Sequence, residues 1–150
     1  MRRAACAIVV GLVLHARAAA AASCFLDATA PVAFDKYDVF AGADLDFAGS
    51  VTLRCLLSLS VTIDIGPGYG SYNARSMKHT TLVGPTLNYN VYVDAARTKI
   101  WGNASSGNFH FGPTLALVAS VVIPIYGRIP ARQDATAGDY ADTLVITLNY

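Results

Sequence analysis

Hydrophobic and polar positions alternate with a period of two along much of this chain, most plainly in the stretch Thr143–Tyr150. There Leu144, Ile146, Leu148 and Tyr150 fall on one side of an extended backbone, and Thr143, Val145, Thr147 and Asn149 on the other. Alternation carried by β-branched and aromatic residues predicts a half-buried strand, and the final strand is expected over Asp139–Tyr150. A bare apolar edge invites association, so this strand is expected to lie at an edge that another chain completes. The same pattern predicts strands at Gly49–Cys55, with Val51, Leu53 and Cys55 inward, at Leu59–Ile65, and at Leu87–Val93, with Leu87, Tyr89, Val91 and Val93 inward. A short first strand is expected at Ala30–Phe34, where Pro31 suits a strand start or an edge. A short polar strand falls within Tyr72–Thr81, and one buried strand within Leu115–Tyr126, limited by Pro113 and Pro124. Asp35–Asp46, Gly66–Gly70, Asn103–Asn108 and Gly127–Gly138 read as connections. Asp94 is expected to cap one helical turn over Asp94–Arg97, after which Ile100 and Trp101 return to the core. Several short strands separated by turns predict an all-β sandwich in a single domain.

The beginning of the chain follows a different rule. Arg2 and Arg3, an apolar run from Ala4 to Leu14 and the small residues Ala18–Ala22 make a secretory signal peptide over residues 1–22, followed by a domain over 23–150. The run is too short to span a bilayer. Cys6 leaves with this leader, and Cys24 and Cys55 remain. In an exported protein such a pair predicts one disulfide. The alternative is a lipid on Cys24, but Ala21-Ala22-Ser23 lacks the leucine such a signal uses, and acylation would strand Cys55.

Composition sharpens the β assignment. Hydrophobic residues make up 54% of the chain and charged ones 14%; all ten acidic residues are Asp, and there are eight Tyr and twelve Gly. Glu, Lys and Arg favour helices, whereas Tyr, Thr and Val favour strands. The net charge of +1 includes Arg2, Arg3 and Arg17; without them eight basic groups face ten Asp. That balance points away from nucleic acid and anionic membranes as partners.

Candidate chemistry is sparse. His79 and His110 read as surface histidines in polar loops, without the ligand spacing of a zinc site or a Gly-x-Ser-x-Gly elbow. Asp35, Asp38, Asp44 and Asp46 lack the ordered spacing of a calcium loop and read as turn starters. The expectation is a non-enzymatic protein with no cofactor and no metal. Tyr69 and Tyr72, in a glycine-rich stretch, are the candidate ligand contacts, while Trp101 beside Ile100 reads as core.

One resemblance runs through the whole exported part. Leu87-Asn-Tyr-Asn-Val-Tyr-Val-Asp-Ala-Ala-Arg-Thr-Lys-Ile-Trp-Gly102 resembles the signature of the spore coat protein U domain family, secreted pilin-like subunits of archaic chaperone–usher pili. Tyr126–Ala131, Ala137–Leu144, Ala28–Phe34, Gly70–Met77 and Val51–Cys55 continue the likeness, in order. The resemblance implies an immunoglobulin-like β-sandwich lacking its last strand, which a periplasmic chaperone supplies first and a neighbouring subunit later; such complementation is a known form of β-strand addition. It implies an outer-membrane usher as a further partner, and passage through the periplasm to the surface or fimbria of a Gram-negative bacterium. It places the family's two cysteines on Cys24 and Cys55, and makes Leu144, Ile146, Leu148 and Tyr150 the edge for chaperone or donor strand, with the carboxylate after Tyr150 as an anchor. Polymerising subunits carry a donor segment before the first cysteine, and cleavage near Ala22 leaves none here. The expectation is therefore a subunit that receives a strand without donating one, near the tip or end of a fibre. A surface or spore-coat role, and an adhesin or carbohydrate-binding surface module, are the alternatives.

Overall fold

The computed structural model describes residues 24–56, 59–116 and 120–150; the leader expected over residues 1–22 lies outside them. Ten strands follow one another: β1 (Cys24–Ala30), β2 (Leu45–Cys55), β3 (Leu59–Ile65), β4 (Gly70–Ser71), β5 (Ala74–His79), β6 (Thr86–Tyr92), β7 (Phe111–Ala116), β8 (Val121–Ile129), β9 (Tyr140–Ala141) and β10 (Ile146–Asn149). They form two sheets. The larger runs β1-β2-β8-β6-β5-β4 with β9 also on β5, and the smaller runs β10-β3-β7. The inward residues of the alternating segments meet between them: Val51, Leu53 and Ile123 from the larger sheet, Val61, Ile63 and Ile65 from the smaller. This is the expected immunoglobulin-like all-β sandwich.

One side chain joins the two sheets, and one disulfide joins the first two strands of the larger sheet. Trp101 is fully buried, donates its indole N–H to the Ile63 carbonyl at 2.8 Å and stacks at a tilt on Phe111. Cys24 and Cys55 face each other in the β1–β2 register and their sulfurs are bonded, as expected of the pair. The bond closes a sequence separation of 31 residues, which corresponds to about 3–4 kcal/mol in the chain-entropy model. Reduction should lower the free energy of unfolding by that amount, read from a denaturant titration, and non-reducing peptide mapping should recover the Cys24–Cys55 cross-link. Two free thiols in the exported protein would contradict the pairing.

Several boundaries differ from the sequence expectation. The first strand is Cys24–Ala30, not Ala30–Phe34. From Pro31 the chain leaves the sheet as a strap that crosses β2 at Gly49, where a Cβ would meet the Ala30 carbonyl at 2.5 Å. Gly127 lies inside β8 instead of a loop, because a Cβ there would land on Val32 and the Phe34 ring. Both glycines admit the strap. The apolar run Leu115–Tyr126 is divided between β7 and β8, which belong to different sheets; apolarity continuous across a crossover carries no mark of the change. Pro124 is tolerated in β8 because β6 pairs with β8 only over Tyr126–Arg128, leaving a free flank beside the proline. Asp94 holds an irregular turn, not a helical one. Its carboxylate accepts the Thr98 and Lys99 N–H groups, and Arg97 sits at φ 57°. The final strand is interrupted: β9 pairs with β5 in the larger sheet and β10 with β3 in the smaller, so Asp142–Val145 carries the chain between sheets.

Candidate functional site

β10 is an edge strand. It pairs with β3 through Ile146↔Ile65, Thr147↔Asp64, Leu148↔Ile63 and Asn149↔Thr62, and the Gly66 N–H donates to the Val145 carbonyl at 2.8 Å. In an antiparallel ladder bonded and non-bonded pairs alternate. Val145, Thr147 and Asn149 therefore turn their backbone groups toward β3. Ile146 and Leu148 turn theirs outward, to a side where no described strand lies.

Beside that edge the sandwich is open. A groove of about 1200 Å³ runs between the strap on one side and residues 135–146 on the other. Its floor is lined by the buried core residues Ile65, Met77, Leu87, Val91 and Ile125. Leu144 and Ile146 line it. Leu148 is half-buried against the core without lining the groove, and Tyr150 is exposed beyond the strand end. Thus the structure brings Leu144 and Ile146 to one cavity, sets Leu148 beside it and leaves Tyr150 outside.

Each wall is held by polar contacts that hydrophobic periodicity does not register. On the strap, the Tyr37 hydroxyl donates to the Pro130 carbonyl at 2.8 Å and accepts the Gln133 N–H at 2.8 Å. On the other wall His79 is buried in β5, not exposed in a loop as the sequence suggested. Its Nδ1 accepts the Thr81 and Leu82 N–H groups, which leaves Nε2 to donate to the Ala137 carbonyl at 3.1 Å. Gly138, at φ 144°, lies so close that a Cβ would strike the His79 ring. His79 is a structural post for residues 137–140, satisfied on both nitrogens. His110 is half-exposed, 3.7 Å from the Asp64 carboxylate.

One end of the groove is polar. Asp142 accepts the Tyr89 hydroxyl at 2.7 Å and the Tyr69 N–H at 3.1 Å. Burial, and then the hydrogen bond to Asp142, pushes the Tyr89 phenol well above its ordinary range. Behind it lies Arg75, fully buried. Its guanidinium donates to the carbonyls of Ile65, Gly66, Tyr72 and Trp101 and to Asn90 Oδ1, with no carboxylate in contact. Burial lowers its pKa from the usual arginine value, yet it stays charged. Arg75 thereby ties β5 and β6 to the end of β3 beneath the groove. Tyr72 is half-buried with its ring 5.8 Å from the Arg75 guanidinium, and Tyr69 is 46% exposed under the Lys78 ammonium at 3.8 Å. The two tyrosines do not line the groove.

Of the Asp cluster, Asp35 and Asp38 accept the Lys36 and Phe40 N–H groups, as turn starters do, and Asp44 and Asp46 pair with Arg128. Among the described residues no group of three or more metal-ligating side chains is placed to hold an ion, and no helix is long and apolar enough to cross a membrane.

Known proteins share this frame. In sequence, the chain is 32% identical over 115 residues to Protein U of Myxococcus xanthus, covering 73% of this chain and 63% of that protein's length. In structure, it is similar to a chain of the CsuC–CsuE chaperone–tip adhesion subunit pre-assembly complex from archaic chaperone–usher Csu pili of Acinetobacter baumannii. That match has a TM-score of 0.61 at 20% identity, over 86% of this chain and 40% of that one, and shows the shared fold. The Spore Coat Protein U domain profile matches residues 11–147. With the profile spanning both sheets, both cysteines and the first half of β10, the chain belongs to the Spore Coat Protein U domain family.

Proposed function

We propose that this protein is a structural, pilus-type subunit that accepts an extended strand from another protein along β10. The observation that carries the proposal is the coincidence of two openings at one place. The outward backbone groups of Ile146 and Leu148 lie next to a groove whose floor is the hydrophobic core. An inserted strand would bond the edge while its alternating side chains fill the groove. A periplasmic chaperone and later a neighbouring subunit are the proposed donors, with an usher directing the exchange and the surface as destination. We place the subunit near a fibre tip, following the likeness to a complex that contains a tip adhesion subunit; localisation along a shaft would move it.

The test is thermal unfolding of the domain with and without an alternating apolar peptide fused after Tyr150 through a short linker. Burying four apolar side chains contributes about 1.5–3 kcal/mol each before the cost of ordering them, so the fused form should melt roughly 15 °C higher. Equal melting temperatures for two soluble monomers would show a sandwich that is already complete.

A further inference from the structure

The groove carries an electrical bias. The charged side chains that line it are the carboxylates of Asp35, Asp38, Asp139 and Asp142 and the ammonium of Lys36. Asp35 and Asp38 belong to the strap, and Asp139 and Asp142 to the opposite wall, so acids stand on both sides. Of the six aspartates outside the groove, Asp27 pairs with Arg54, Asp44 and Asp46 with Arg128, Asp46 also with Arg97, and Asp64 lies 3.7 Å from His110. Among the described residues none of the four groove carboxylates is in an ion pair. Asp142 is held by hydrogen bonds from Tyr89 and Tyr69, and these spend none of its charge.

An apolar floor between acidic rims sets two requirements on an occupant. Its alternate side chains must be apolar to enter the groove, and the residues flanking that core must suit a negative rim. We infer that the strand filling this groove comes from another protein and carries lysine or arginine on either side of an alternating apolar core. This inference rests on the strand-accepting reading above. Basic flanks meet the unpaired carboxylates of both walls, and acidic flanks meet like charge, so the rim selects the donor as well as holding it.

Two short peptides test this. They share one core of valine and isoleucine alternating with threonine, and differ only in flanking lysines or glutamates. Fluorescence anisotropy with the full chain should show the lysine peptide binding about tenfold tighter at low salt, with the advantage collapsing at high salt. The double variant Asp35→Asn, Asp139→Asn should shrink the preference by severalfold and keep the salt-resistant part of the affinity. Equal binding of the two peptides, or preference for the glutamate form, overturns the charge inference and leaves the strand-accepting reading standing. Binding of neither peptide overturns both. Concentration-dependent self-association of the chain without peptide would show a second copy as occupant, and would also overturn the inference.

Discussion

Arg75→Ala should cost this domain about 4–5 kcal/mol, a large part of the 5–15 kcal/mol by which ordinary domains are stable. The reason is the set of acceptors left behind. Four carbonyls and the Asn90 side chain share the Arg75 guanidinium. Each buried acceptor that loses its donor costs about 1–3 kcal/mol, and only those that a water can reach recover part of it. Because Arg75 has no carboxylate in contact, its removal leaves no stranded anion. The loss then comes from hydrogen bonds and packing rather than from a broken ion pair. Arg75→Lys should fall between, at roughly 2–3 kcal/mol, since an ammonium has three donors without the planar fork. Denaturant titration measures both. A cost under about 1 kcal/mol for the alanine variant would show that water replaces the guanidinium and that Arg75 is not the joint between the sheets.

Ile146→Asp should abolish strand capture. Ile146 lines the groove while its backbone groups face the free edge, so a charge there would sit under any inserted strand. Burying an unpaired carboxylate costs at least about 3 kcal/mol in effective terms, which weakens binding more than a hundredfold. Leu148→Asp should act in the same direction but less strongly, because Leu148 lies beside the groove. Val145→Asp is the control: Val145 is 67% exposed and turns its backbone toward β3. Capture of a donor peptide, followed by anisotropy, should survive in Val145→Asp and fail in Ile146→Asp. Equal capture by both would mean that the donor does not run along β10.

The alternating segments were legible because burial on one face of a strand imposes a period of two. Leu59–Ile65 has the bounds read from its pattern, Thr86–Tyr92 is displaced by one residue, and residues 143–149 keep Leu144, Ile146 and Leu148 half-buried with their neighbours exposed. Cys24 and Cys55 were legible from compartment chemistry. Position relative to a sheet was harder. Cys24–Ala30 lacks a clean apolar face, with a burial pattern mostly exposed, and it becomes a strand through its pairing with β2. The polar supports of the groove walls were not legible. His79 and Arg75 are polar residues whose burial depends on carbonyls far away in the chain, Ala137 for one and Trp101 for the other. Local composition cannot announce such partners. The nearest local signs were Gly138 and Gly127, whose missing Cβ atoms leave room for the His79 ring and the strap.

The pairing of β3 with β10 sets an order on folding. Their strands are far apart in sequence, as the Asn149–Asp64 contact across 85 residues shows. By contrast β5 and β6 are joined by a short turn. Closing the long loop lowers chain entropy before any contact compensates, so non-local pairing comes late. Until it forms, one flank of β3 is bare, with Ile63 and Ile65 beside it. A chain delivered from its beginning toward its end therefore passes through an interval in which the smaller sheet is only β3 and β7. During that interval an extended segment from elsewhere could occupy the place of β10 itself, so protection is needed before the domain has finished folding as well as afterwards.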